Sequence, residues 1–234
     1  MFAMSVSSHP IGNEKVPLNG AERVFLHPPH GTVRVAAETL VRNVYQATYG
    51  ARVPEFLPLL LELHGASSGL AVLGMRLAQP HENLYLEHYL ESPIEQEIAV
   101  RMGRPVARGD IVEIGNLAAS SAGLSAPLFL VMAAALSAAQ YRWLAFTATP
   151  QVERIVARLN YAPLLLCDVD VERLGERAQQ WGRYYESRPR VMCCDLVSAL
   201  RAASSLSWVS NLLKTYAGAS EKVAQQLQFF REMS

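Results

Sequence analysis

Two polar side chains set three residues apart inside an apolar run, Glu113 and Asn116 in DIVEIGNLA (110–118), constrain this chain more than any other feature. The run reads as a central strand over Ile111–Ala118, and the small-residue stretch ASSAGLSAP (119–127) leads from it into the apolar segment Leu128–Leu136. A strand, a tight loop and a helix in that order leave unpaired N–H groups at the helix start, where an anionic ligand is favoured. Gly123 and the small side chains beside it let the backbone approach such a ligand closely, although glycine and serine also serve simple turn geometry.

A carboxylate flanked by Val112 and Ile114 loses hydration, so its pKa rises and Glu113 becomes a candidate general base. An ion pair with an arginine on a neighbouring strand, Arg76, is the structural alternative. Strict alternation would send Glu113 and Asn116 to opposite faces of the sheet. A bulge at Gly115 would change that parity and free backbone groups between strands. Asn116 alone also fits a turn bond at a strand end.

The chain has 234 residues, enough to bury roughly 70% of its unfolded surface, and carries 21 basic and 21 acidic side chains. With no net cationic field, nucleic-acid binding is disfavoured. Three cysteines, Cys167, Cys193 and Cys194, offer no CxxC pair and fit a reducing, cytoplasmic setting. The first residues lack a basic region followed by a long apolar one, so no secretory signal is expected. The longest apolar stretch, Ala126–Ala139, is shorter than the ~18 residues of a membrane span and reads as a buried helix.

Apolar spacing predicts a helix over Thr32–Tyr49 capped by Gly50, a hairpin from Phe56–His64 and Leu70–Ala78, and a strand or turn at Tyr85–Tyr89. A helix follows from Pro93 to Gly103, then the Ile111–Ala118 strand, a helix at Pro127–Gln140, a strand at Trp143–Thr149, a helix from Pro150 to Leu159 and a strand at Pro163–Val169. That alternation predicts parallel pairing within a mixed α/β sheet. Val171–Arg188 carries Trp181, Tyr184 and Tyr185 at helical spacing, as core packing or as an aromatic lid. Leu196–Met233 reads as one or two amphipathic helices divided near Gly218, suited to docking on the domain or to a homodimer.

Glu87 and His88 in LYLEHYLESPIE form a second polar cluster, with Glu87 a further catalytic candidate; no set of residues has metal-ligand spacing. Arg101, Arg104 and Arg108 precede the central strand with no acid between them, a candidate docking patch for an acidic partner or an ordinary solvated connection.

Six segments in order carry a family resemblance: YGARVPEFLP (49–58), LGMRLA (73–78), LYLEHYLESPIE (84–95), IVEIGNLA (111–118), WLAFTAT (143–149) and WGRYYESRP (181–189). Together they resemble the thermostable hemolysin family, which is similar in turn to the GNAT acyltransferases of the acyl-homoserine-lactone synthase and N-acyl amino acid synthase branch. The resemblance implies a GNAT-like mixed sheet with splayed parallel strands flanked by helices. With it goes an acyltransferase domain over 31–190, while composition makes 1–30 a flexible lead-in and amphipathic spacing makes 191–234 a C-terminal helical extension. The resemblance also implies an acyl-thioester cosubstrate, acyl carrier protein or coenzyme A, whose arm enters between Ile111–Ala118 and Trp143–Thr149. Leu117, Ala118, Ala119, Gly123, Leu124 and Ser125 would hold that arm.

Two departures stand out. The phosphate loop of the superfamily begins with Gln or Arg, whereas this loop is Ser120-Ser121-Ala122-Gly123-Leu124-Ser125, and the tyrosine acid near a Gly-Phe pair has no counterpart, since Asn160-Tyr161 stands there with Val156 four residues before Asn160. Three readings follow. One is an N-acyltransferase acting on the amine of a small polar acceptor, with Glu113 as base and Asn116 and Glu87 beside it. Another is a membrane-lytic protein, and the third a non-catalytic interaction protein on the same fold.

Overall fold

The computed structural model describes residues 23–29, 34–53, 55–65 and 68–233. Among the described residues seven strands form one sheet: β1 (Arg23–His27), β2 (Leu59–His64), β3 (Leu70–Leu77), β4 (Ile111–Ala119), β5 (Trp143–Ala148), β6 (Leu164–Asp168) and β7 (Arg190–Asp195), in the order β1-β2-β3-β4-β5-β7-β6. The predicted hairpin is β2–β3, antiparallel with Leu61 opposite Leu73. Among the described residues parallel pairing is confined to β4 and β5. The expected parallel neighbour of β5, β6, is held one place away because β7 inserts between them, antiparallel to both.

Among the described residues seven helices flank the sheet: α1 (Val35–Tyr49), α2 (Ile94–Met102), α3 (Ser125–Ala138), α4 (Pro150–Arg158), α5 (Leu196–Ser204), α6 (Ser207–Thr215) and α7 (Ala217–Glu232). α3 is apolar on nearly every side because it lies between the sheet and the C-terminal helices. Val223, Ala224 and Leu227 of α7 share that core, and Arg231 bonds the Gln140 carbonyl at 2.5 Å and the Asp110 carboxylate at 2.7 Å. The C-terminal helices thus spend an apolar face on their own domain. On the other face α1, α2 and the 3-10 segments Tyr85–Tyr89, Val171–Trp181 and Tyr184–Ser187 build a second core around Tyr45, Ile94, Trp181 and Tyr184.

Several sequence expectations change. The proposed lead-in holds β1 at its end, while residues 1–22 and 30–33 lie outside the described residues. Residues 191–195, placed in the helical extension, complete β7, a strand too short and mixed to register as apolar alternation. Tyr85–Tyr89 and Val171–Trp181 are 3-10 segments, the latter kinked at Gly175 with φ 54°. Gly218 lies inside α7 instead of dividing helices; the break is at Tyr216.

Candidate active site

The β4–β5 ladder runs from Ile111↔Trp143 to Ile114↔Phe146 and stops there. β4 nevertheless continues along β3 to Ala119↔Ala71, and β5 continues along β7 to Ala148↔Arg190. The two central strands therefore part at their C-terminal ends, each keeping its outer neighbour.

A bulge sets the chemistry beside that parting. Gly74 faces Gly115 and Val72 faces Ala118, so the single residue Leu73 opposes both Asn116 and Leu117. Asn116 takes the left-handed conformation, φ 49°, which asparagine tolerates better than most residues. The side-chain parity shifts, and Glu113 and Asn116 line the same cleft on the α1 face, with Glu55, Phe56, Leu57, Arg76, Tyr85 and Trp181. The Leu57 N–H donates to Asn116 Oδ1 at 2.8 Å, tying the segment before β2 to the bulge. Gly74 is needed there, because a Cβ on it would stand 2.8 Å from Asn116 Oδ1.

Glu113 is buried. Its carboxylate accepts the N–H of Tyr85 at 2.9 Å and of Leu86 at 3.0 Å, the first amides of the 3-10 segment. Loss of hydration pushes its pKa up, while those N–H groups and the positive charge of Arg76 pull in the opposite direction; the balance stays raised. Arg76 stands directly opposite Glu113 on β3, yet its guanidinium bonds the exposed Glu55, at 3.4 Å. The cross-strand ion pair offered as the structural alternative is thus not formed as a contact.

Tyr85 and Trp181 wall the cleft, with the Trp181 Nε1–H donating to the Tyr85 hydroxyl at 3.1 Å. Trp181 is held by the chain that follows it: a Cβ on Gly182 would fall 2.2 Å from the Tyr49 carbonyl, and the Arg183 N–H donates to the same oxygen at 2.8 Å. The space left among these side chains is about 30 Å³, room for one or two waters.

Glu87 belongs elsewhere. Arg108 grips both its oxygens at 2.7 and 2.8 Å, and the N–H groups of Leu84 and Ile94 donate to it at 2.7 and 2.9 Å. Burial opposes ionisation, but Arg108 and the two amides outweigh it and hold the pKa below the usual value. Glu87 ties the 3-10 segment to α2 and does not line the cleft.

The three arginines do not form one patch. Arg108, half-buried, bonds Glu87, Glu95 and the Gln79 and Glu82 carbonyls; Arg101 bonds Glu97 and the Leu165 and Leu166 carbonyls; Arg104 lies over the Trp143 ring, 5.6 Å from its centre. Arg108 and Arg104 sit by the starts of β4 and β5, at the end opposite the parting, so the expected mouth is not there.

The proposed ligand loop follows β4 at the parted end. Leu117, Ala118 and Ala119 are buried, and Ser120 pairs with Leu70 through its amide and its hydroxyl, both at 2.8 Å. Leu124 fills the space over Gly65 and Gly69. Gly123 faces open space, Ser125 is buried, and the first turn of α3 has no acidic residue and no side-chain cap. Burial pushes the thiols of Cys167 and Cys193 up to about 11 and about 12, which leaves them poor nucleophiles. Among the described residues, no three His, Cys, Asp or Glu side chains group to hold a metal ion, and no helix is long and apolar enough to cross a membrane.

The model of the thermostable hemolysin family matches residues 27–200. The chain belongs to that family. Among solved structures, FeeM, an N-acyl amino acid synthase from uncultured soil microbes, is 14% identical with a TM-score of 0.50, covering 78% of this chain and 95% of its own. MesI, a CoA-dependent acyl-homoserine lactone synthase, is 12% identical with a TM-score of 0.45 over 78% and 94%. The AHL synthase LasI is 11% identical with a TM-score of 0.48 over 76% and 91%. No curated protein matches the sequence. The mixed, parted sheet of this hemolysin-family chain is thus an α/β fold similar to that of FeeM.

Proposed function

We propose that this protein is an N-acyltransferase that moves a medium or long acyl group from an acyl-thioester to the amine of a small polar acceptor. The observation that carries the reading is a buried carboxylate with a raised pKa, Glu113, facing a cleft beside the gap between two central strands. An ordinary structural carboxylate at that depth would be neutralised by its cross-strand arginine; here Arg76 turns to Glu55 instead.

In the reaction, the amine nitrogen attacks the thioester carbonyl carbon. The C–N bond forms, the C–S bond breaks, Glu113 takes the proton lost by nitrogen and passes it through water to the leaving thiolate, which becomes the free thiol while Glu113 returns to its ionised form. Each Glu113 oxygen accepts one backbone N–H and keeps a lone pair for that proton. A β4 amide near Leu117, where the ladder to β5 has ended, supports the oxyanion of the tetrahedral intermediate. Ala119, Gly123, Leu124, Ser125 and the start of α3 hold the donor's phosphate-bearing arm, which belongs to coenzyme A or to acyl carrier protein. No acyl chain fits in about 30 Å³, so the chain runs along the parted strands or displaces Trp181 and the Glu55–Leu57 segment.

Purified protein is incubated with acyl-CoA or acyl carrier protein and a mixture of small amines, and free thiol and amide are followed by mass spectrometry. The reading expects equal amounts of both from wild type and almost none from Glu113→Gln. Dye release from liposomes by the purified protein without donor, and no amide from any mixture, would put the membrane-lytic reading in its place.

A further inference from the structure

Two aromatic rings separate the Glu113 cleft from a larger space. An open groove of about 630 Å³ lies between Gly50, Arg52 and the strap of residues 176–181. Gln180 lines the groove while its neighbour Trp181 lines the cleft. Arg177 of the groove bonds His88, whose ring stands 5.3 Å from that of Tyr85 in the cleft. The wall between the two spaces is therefore the Tyr85–Trp181 pair. While it is shut, one or two waters fill the cleft and an amine substrate has no room beside Glu113.

The strap is fastened at few points. It runs between Gly175 (φ 54°, ψ −133°) and Gly182 (φ 50°, ψ −127°), both in the left-handed turn region that favours glycine. Glu176, Arg177, Gln179 and Gln180 are exposed and Ala178 is half-buried, so Trp181 is the one buried side chain of the strap. Two polar ties complete the closure: the Arg52 N–H donates to the Gln180 carbonyl at 2.7 Å, and Arg177 donates to His88 Nε2 at 2.8 Å. His88 is set to accept, because its Nδ1–H donates to the Tyr85 carbonyl. The two glycines differ. A Cβ on Gly182 would strike the Tyr49 carbonyl, whereas one on Gly175 would meet nothing within 4 Å. Gly182 is the fixed end of the strap and Gly175 its free hinge.

We propose that residues 176–181 are a gate over the Glu113 cleft: the strap swings on Gly175, draws Trp181 out of the wall and joins cleft to groove, so that a polar amine acceptor enters from the groove. This rests on the acyltransferase reading and adds to it the route of the acceptor. Guanidinium and carboxamide groups line the groove, surroundings for a polar molecule and not for an acyl chain. An acceptor beside Glu113 fits only the open state, so its binding holds the gate open.

Access to Glu113 can be read without acyl transfer. The protein, free of donor, is treated with a water-soluble carbodiimide and ethanolamine, and the rates of coupling at Glu113, Glu87 and Glu55 are followed by peptide mass spectrometry. Gly175→Ala has space for its methyl group but strains the closed backbone, and Arg177→Gln removes the tie to His88 from an exposed position, so both keep the fold and favour the open strap. Coupling at Glu113 should be roughly fivefold faster in each variant, with Glu87 and Glu55 unchanged. In the acyl-transfer assay the acceptor KM should fall by a similar factor and the donor KM should stay as it is. Equal rates at Glu113 in all three proteins, or a rise at Glu87 that matches the rise at Glu113, overturn the gate even where amide is formed. If coupling at Glu113 responds as expected and no protein forms amide from any donor, the acyltransferase reading fails and the gate stands.

Discussion

Glu87, half-buried within the 3-10 segment Tyr85–Tyr89, and Glu113, buried on β4, are two carboxylates that both hold that segment. Each accepts two backbone N–H groups, from Leu84 and Ile94 in one case and from Tyr85 and Leu86 in the other. They differ in their cation. Arg108 closes on both oxygens of Glu87 and holds its pKa down, whereas Arg76 leaves Glu113 for Glu55 and burial holds that pKa up. Two amides are not enough to make a buried carboxylate inert; the fork of an arginine is. One site is a structural knot and the other keeps a titrating group in a cleft.

The largest effect expected from breaking this comparison is on the knot. Arg108→Met strands Glu87 and Glu95 without their cation and should cost roughly 3 kcal/mol of stability, read as a fall in denaturant midpoint at neutral pH. The sign with pH follows from the lowered pKa of Glu87. Its contribution is present above the unfolded carboxylate value and is lost as pH falls through the folded one. The gap between wild type and Arg108→Met should therefore narrow in acid; a gap that is constant with pH would contradict the knot.

A smaller effect belongs to the bulge that brings Asn116 to the side of Glu113. Asn116→Gly keeps the left-handed backbone and loses the bond to Leu57, for about 1 kcal/mol. Asn116→Ala adds the strain of φ 49° on a Cβ residue, for roughly 1 kcal/mol more. If alanine were tolerated as well as glycine in thermal unfolding, the backbone conformation would not be what holds the bulge.

Much of the fold could be read from the chain, because long apolar runs and caps such as Gly50 and Gly103 act locally. The hairpin, the β4–loop–α3 passage and the parallel β4–β5 pair follow from such signals. β7 escaped because RVMCCD carries no clean alternation, and its place between β5 and β6 depends on long-range pairing alone. In the site, Glu113 and Asn116 were visible as polar breaks in an apolar strand. Tyr85, Glu55, Phe56 and Leu57 were not, because they reach the cleft from segments 28 or more residues distant, through bonds such as that of Leu57 to Asn116. Glu87 looked equivalent to Glu113 until the fold brought Arg108 to one and not to the other.

The central claim is that Glu113 is the base, and its pH–rate profile tests it most directly. The account predicts that kcat/KM for acyl transfer falls on the acid side with an apparent pKa above the ordinary glutamate value of 4.5. Glu113→Gln should lower the rate by about 10²–10⁴-fold and abolish that limb while the protein stays folded. A variant that keeps both the rate and the acid limb would contradict it.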